Sequence, residues 1–155
     1  MSVQLRPMRD DEFEVWLPLM RGRYAEDMVN HAGMSPDRAA AMAEADIGHL
    51  FPDGRPSSAQ IVYVVEAEGE PVGQLWLAER DDTPEPCLFI FELSVEEAYR
   101  GRGYGKAAML FVEEEARRRG IPRIALNVFG GNTVARRLYQ SLGYAENAVS
   151  MSKDL

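Results

Sequence analysis

A single cysteine, Cys87, occurs in 155 residues, so no intramolecular disulfide can form and a disulfide-stapled fold is excluded. The two histidines, His31 and His49, lie far apart and offer no zinc-ligand spacing, so no metal is expected. No apolar run approaches the ~20 residues that cross a bilayer. The opening residues, MSVQLRPMRDDEF, are charged almost at once and hold no apolar signal-like segment. These absences point to a cytoplasmic protein with no membrane partner. Basic charge is scarce too: 17 Lys and Arg against 25 Asp and Glu leave a net charge of −8. That balance argues against a nucleic-acid partner, because such surfaces draw most of their affinity from cationic contacts to phosphates. What remains is an ordinary globular composition, 46% hydrophobic and 27% charged, at the size of one domain spanning 1–155.

The chain is most organised in CLFIFELSVEEAYRGRGYGK, from Cys87 to Lys106. Leu88 to Val95 is apolar, aromatic and β-branched, as suits a strand buried on both faces, with Glu92 as an isolated carboxylate. Arg100-Gly101-Arg102-Gly103-Tyr104-Gly105 follows, spacing glycines so that backbone can adopt positive φ and a ligand can approach main-chain N–H groups. A helix then begins, and its unpaired first N–H groups and dipole favour a phosphate or pyrophosphate. Arg100, Arg102 and Lys106 add positive charge, although exposed basic side chains are commonly just solvated.

Spacing decides among phosphate motifs. A P-loop needs glycine five residues before Gly105, where Arg100 stands, and a hydroxyl after Lys106, where Ala107 stands. A dinucleotide fingerprint needs G-x-G-x-x-G, whereas the order here is Gly101-x-Gly103-x-Gly105. The pattern Q/R-x-x-G-x-G/A does fit, as Arg100 to Gly105. Downstream stand Leu126-Asn127-Val128, Asn132, Ala135 and Leu138-Tyr139-Gln140-Ser141-Leu142-Gly143-Tyr144. Together these two ordered blocks resemble the GNAT superfamily of N-acetyltransferases, over rather more than a third of the chain.

The remaining pattern supplies the elements. Val3 to Arg6 reads as a strand ended by Pro7, and Asp10 or Asp11 as the cap of a helix to about Asp27, with Phe13, Trp16, Leu17 and Met20 at helical spacing. Asn30 to Gly33 reads as a break, then Ser35 caps and Pro36 opens a helix to about Leu50. Ile61–Val65 and Val72–Leu77 form a hairpin about Glu68-Gly69-Glu70-Pro71. The helix from about Gly103 to Arg119 carries three (i, i+4) pairs, Glu113/Arg117, Glu114/Arg118 and Glu115/Arg119. Ile124–Val128 is a strand, Asn132–Leu142 a helix, and Tyr144–Lys153 an irregular last strand. The order β-α-α-β-β-β-α-β-α-β predicts an α/β fold, a three-layer arrangement whose mixed, mainly antiparallel sheet is flanked by helices. The resemblance implies the same architecture.

It also implies the chemistry. Acetyl-coenzyme A, as co-substrate, would lie in a V-shaped opening between Leu88–Val95 and Ile124–Val128, held by main chain at Leu93 and Val95. Its pyrophosphate would sit on Arg100, Gly101, Arg102, Gly103, Tyr104, Gly105 and Lys106, with Asn132 close by. A β-bulge at about Leu93 would aim a main-chain N–H at the thioester carbonyl. The partner would be an amine acceptor, a small molecule or a peptide or protein amine, acetylated directly in a ternary complex; a homodimer is left open. Glu92 would remove the amine proton, directly or through water, or it would face the opposite layer and pair with an arginine; which one hinges on a one-residue register. Tyr139 would protonate the leaving thiolate, or merely extend the apolar stripe of its helix with Ala135 and Leu142. Asn132 is equally an N-cap, and Cys87 a small buried hydrophobe. Tyr24, Glu26, Asp27, Met28 and His31 are expected along the acceptor wall. The alternative in another class is a non-catalytic acyl-coenzyme A binding or sensing domain.

Overall fold

A computed structural model describes residues 2–155. The elements are β1 (Val3–Pro7), α1 (Asp10–Ala32), α2 (Pro36–Leu50), β2 (Gln60–Ala67), β3 (Glu70–Arg80), β4 (Cys87–Val95), α3 (Tyr104–Arg118), β5 (Ile124–Leu126) and α4 (Thr133–Ser141), with a 3-10 turn at Glu97–Tyr99. The five strands form one sheet in the order β1-β2-β3-β4-β5. The first four run antiparallel and β5 joins β4 in parallel, the arrangement a crossover through α3 requires. Helices cover both faces, so the expected three-layer mixed sheet is what the chain forms.

Strand alternation sorts the core into two sides. Tyr63, Val65, Leu75, Leu77, Leu88 and Ile90 point to α3, where Ala108, Met109 and Val112 complete one cluster. Val62 and Trp76 point the other way, onto Phe13, Trp16, Leu17 and Met20 of α1 and Ile47 of α2. Trp16 stands edge-on to Trp76, ring centroids 5.9 Å apart, as core and as expected. Cys87 is buried, as the reading of a small hydrophobe requires.

Several expectations need correction. The helix expected to stop near Asp27 runs through Pro18 to Ala32, where Gly33 closes it in a left-handed conformation with its N–H on Met28 O; of the residues expected to break the helix, Asn30 to Ala32 are its last turn and Gly33 alone ends it. Its N-cap is Arg9, not Asp10 or Asp11. Glu12 accepts the Arg9 N–H and is itself gripped by Arg6 through bonds of 2.7 and 2.9 Å. Ser35 occupies the next N-cap without a capping hydrogen bond, so Pro36 alone sets the start of α2. On α3 the ion pairs are Glu114–Arg117 and Glu115–Arg118 at (i, i+3) and Glu115–Arg119 at (i, i+4). Glu115 is buried and draws both arginines, and Arg119 also reaches Glu79 at 2.9 Å, so only the last of the three expected pairings forms. Residues 144–155 form no strand: their apolar and polar alternation mimics one, but nearly all are exposed and the segment is tied back by an Arg136–Glu146 ion pair.

Candidate functional site

The site is built where β4 leaves β5. Their pairing covers Leu88–Ile90 against Ile124–Leu126 and stops there, because β5 is three residues long where five were expected. From Phe91 onward β4 keeps β3 on one side and has no strand on the other, leaving an open edge of main-chain donors and acceptors.

A bulge sits at that point. Trp76 pairs with Glu92 and Leu77 with Ile90, so Phe91 is the extra residue. This is two residues before the expected position near Leu93, and it settles the register. Leu88, Ile90, Leu93 and Val95 all face α3, whereas Phe91 and Glu92 both turn to the α1–α2 side, Phe91 stacking on Trp76 at 4.5 Å. Without the inserted residue Glu92 would point into the α3 core.

Glu92 therefore does face the other layer and meets an arginine: Arg23 Nη2 of α1 stands 3.0 Å from Glu92 Oε1. The second oxygen, Oε2, is shut off from solvent and accepts no hydrogen bond. Burial pushes the Glu92 carboxyl up from its ordinary range, and Arg23 opposes that shift. Glu92 lines a cavity of about 330 Å³ with Met20, Tyr24 and Asp27 of α1, Asp46, Ile47, His49 and Leu50 of α2, and Trp76 and Phe91 of the sheet. Of the wall residues expected from sequence, Tyr24 and Asp27 are there. Met28 is buried against Ala39 and Ala43, His31 stacks on Phe129, and exposed Glu26 does not line the cavity. Sequence reading missed Asp46, Ile47, His49 and Leu50, although Ala39, Ala43 and Ile47 at helical spacing mark the inward face of α2.

At the far end of β4 the chain makes its 3-10 turn and enters the glycine loop. Gly101 and Gly103 have φ of 77° and 85°, a left-handed conformation that glycine adopts without a Cβ clash. None of the N–H groups from Gly101 to Lys106 donates to a main-chain carbonyl, so a row of amides stands free at the positive end of α3. Arg100 Nε donates to Val95 O at 2.9 Å, tying the loop to β4. Arg102 lies over the Tyr99 ring, Lys106 is exposed, and the Tyr104 side chain is buried in the α3 core. A Cβ on Gly105 would meet only Leu138 Cδ2, at an ordinary contact distance of 3.5 Å, so the packing of α3 on α4 leaves room for one.

Asn132 caps α4, its Oδ1 accepting the Ala135 N–H at 3.3 Å. Tyr139 is half-buried against the α3-side core and near Tyr144; burial pushes its hydroxyl above the usual value. Tyr139 and Glu92 thus belong to opposite faces of the sheet, one on each side of the open β4 edge.

The sequence model of the acetyltransferase (GNAT) family matches residues 19–144. The chain is 33% identical to YycN of Bacillus subtilis, named as an uncharacterized N-acetyltransferase, over 100% of both chains. The crystal structure of YycN matches with a TM-score of 0.91 at 32% identity, covering 99% of each chain. Aminoglycoside N-acetyltransferase AAC(6')-Iy, solved with CoA, shares the fold at 19% identity and a TM-score of 0.65, over 99% of this chain and 95% of that one. The chain belongs to the GNAT acetyltransferase family. It is an N-acetyltransferase.

Proposed function

We propose that this protein transfers an acetyl group from acetyl-coenzyme A directly to a primary amine in a ternary complex, with its open β4 edge and glycine loop holding the donor. The observation that carries this reading is the end of β4–β5 pairing at Ile90 and Leu126, beside the unbonded amides of Gly101 to Lys106. The edge beyond Ile90 offers main-chain groups to an amide-bearing arm, as a sheet edge does to an added strand. The loop amides and the α3 dipole suit a pyrophosphate. Acetyl-coenzyme A, when bound, supplies the thioester.

The chain's own residues then have separable tasks. A main-chain N–H just beyond the bulge, at Leu93, polarises the thioester carbonyl. Glu92 takes the proton of the acceptor ammonium, directly or through water; an alkylamine with a pKa of ~10.4 is neutral in only about one part in a few thousand at pH 7. The raised proton affinity of Glu92 suits that task, and Arg23, 3.0 Å away, opposes the shift that burial causes. Tyr139 stays protonated at neutral pH because burial raises its pKa, so it can donate to the departing thiolate, whose parent thiol has a pKa near ~8.5.

Calorimetry with coenzyme A and an assay of thiol release from acetyl-coenzyme A test the reading together. Expected are tight coenzyme A binding and thiol release that rises with added amine. Binding without amine-dependent release would make the protein an acyl-coenzyme A binder.

A further inference from the structure

The α1–α2 cavity has a composition that narrows the acceptor. Three carboxylates line it, those of Asp27, Asp46 and Glu92. Arg23 stands 3.0 Å from Glu92, and a formal count of that one cation against three carboxylates, with His49 of the wall taken as neutral, gives −2. The carboxylates fall into two groups. Glu92 is on β4 with its Oε2 buried and accepting nothing, and Asp27 is close enough to add to the upward shift of its pKa. Asp46 belongs to α2 and accepts the Tyr24 hydroxyl at 3.1 Å through Oδ2. The rest of the wall is mainly apolar: Met20, Ile47, Leu50 and the stacked rings of Trp76 and Phe91. The volume of about 330 Å³ is at the small end of the roughly 300–1,000 Å³ typical of ligand pockets, which favours a compact molecule over an oligosaccharide.

We propose that the acceptor is a small aliphatic diamine, one nitrogen held by Glu92 and Asp27, the other by Asp46, its methylenes lying on Trp76 and Phe91. This rests on the reading of the protein as an amine acetyltransferase. Two ammonium groups balance the formal charge of the lining, one of them beside Glu92 and Asp27 on the β4 and α1 side and the other at Asp46 of α2. The aromatic wall suits methylenes beside a cation. A monoamine leaves one acidic group uncompensated, and an amino acid sets its own carboxylate against Asp46.

The test compares butanediamine, butylamine and γ-aminobutyrate, which share one chain length, with a lysine-bearing peptide as a fourth acceptor. The diamine is expected to exceed butylamine in kcat/KM by on the order of tenfold or more, as one added charge-assisted contact would give, with γ-aminobutyrate the poorest. Asp46→Asn should collapse the diamine-to-butylamine ratio toward one. Binding is read separately, because the chain has two tryptophans: Trp76 lines the cavity and Trp16 stacks edge-on against it. Fluorescence titration of coenzyme A-saturated protein should half-saturate at lower diamine than butylamine. Equal kinetics and equal titrations for the two amines, or a peptide acetylated faster than the diamine, would overturn the proposal and leave the acetyltransferase reading intact. Selective diamine binding with no thiol release from any amine would support the cavity assignment and sink the catalytic reading instead.

Discussion

Gly73 is a residue whose replacement by alanine yields a magnitude from geometry alone. It lies in β3 opposite Val95, in ordinary extended backbone, so alanine is acceptable there in conformation. Its space is not: a Cβ would lie 2.2 Å from Ser94 O and 3.2 Å from both Ser94 C and Val95 Cα. The first of these is about 1.2 Å short of ordinary contact at 3.4 Å, and the obstacle is backbone, which cannot swing aside like a side chain. The two strands must separate at the end of β4. Overpacking of this kind costs roughly 1–3 kcal/mol, and a backbone clash belongs at the top of that range, about 3 kcal/mol. At roughly 2–4 °C per kcal/mol for a chain of this size, Gly73→Ala should melt about 6–12 °C below wild type. The strain falls where function is proposed, since Val95 O accepts from Arg100 and Val72 O accepts the Glu96 N–H at 2.8 Å. Coenzyme A affinity should therefore drop as well, read by calorimetry below the melting range. Gly105→Ala makes the same chemical change where the new methyl meets only Leu138 at 3.5 Å; it should cost nothing and can gain up to about 1 kcal/mol from helix propensity. A Gly73→Ala protein that melts within about 2 °C of wild type would refute the argument from close strand approach.

Gly103→Asp should remove coenzyme A binding in calorimetry while circular dichroism shows a folded chain, because aspartate tolerates left-handed backbone but places a carboxylate at the proposed anion site. Tyr139→Phe keeps the ring in the core and deletes the hydroxyl; turnover should fall by about 10²-fold or more with the melting temperature nearly unchanged, and a full rate with chemistry limiting would exclude Tyr139 as the acid. Glu92→Gln should lower kcat/KM most at low and neutral pH and least at alkaline pH, where amines lose their proton unaided. Since burial raises the Glu92 pKa, the acid limb of the wild-type profile should lie above the ordinary carboxylate range, and its survival in the mutant would assign it elsewhere. Arg6 hydrogen-bonds Glu12 and holds its pKa down from 4.5 to about 2. A depressed folded pKa means that stability is present above the unfolded value and is lost as pH falls toward the folded one. Arg6→Met should therefore flatten the acid loss of stability between pH 4.5 and about 2, followed by thermal melts across that window.

The chain by itself determined where its helices lie, its hairpin and its glycine loop, because these are local. Apolar spacing at Phe13, Trp16, Leu17 and Met20 specifies α1, and glycines at 101 and 103 specify a turn with positive φ. The adjoining helix start and the ordered blocks after it suffice for the family. Tertiary structure decided everything that depends on register and contact between distant segments. The bulge at Phe91 comes from how β4 meets β3, and it alone turns Glu92 toward α1 and Arg23. Loss of the expected C-terminal strand and the early end of β5 are likewise pairing outcomes, invisible to a pattern of alternating residues. The cavity joins side chains from α1, α2, β3 and β4, so Asp46 and Trp76 become neighbours of Glu92 only when the sheet face is covered. Periodicity says which residues turn inward. It does not say which of them leave a gap, because a gap is set by three-dimensional packing between elements and not by any one of them.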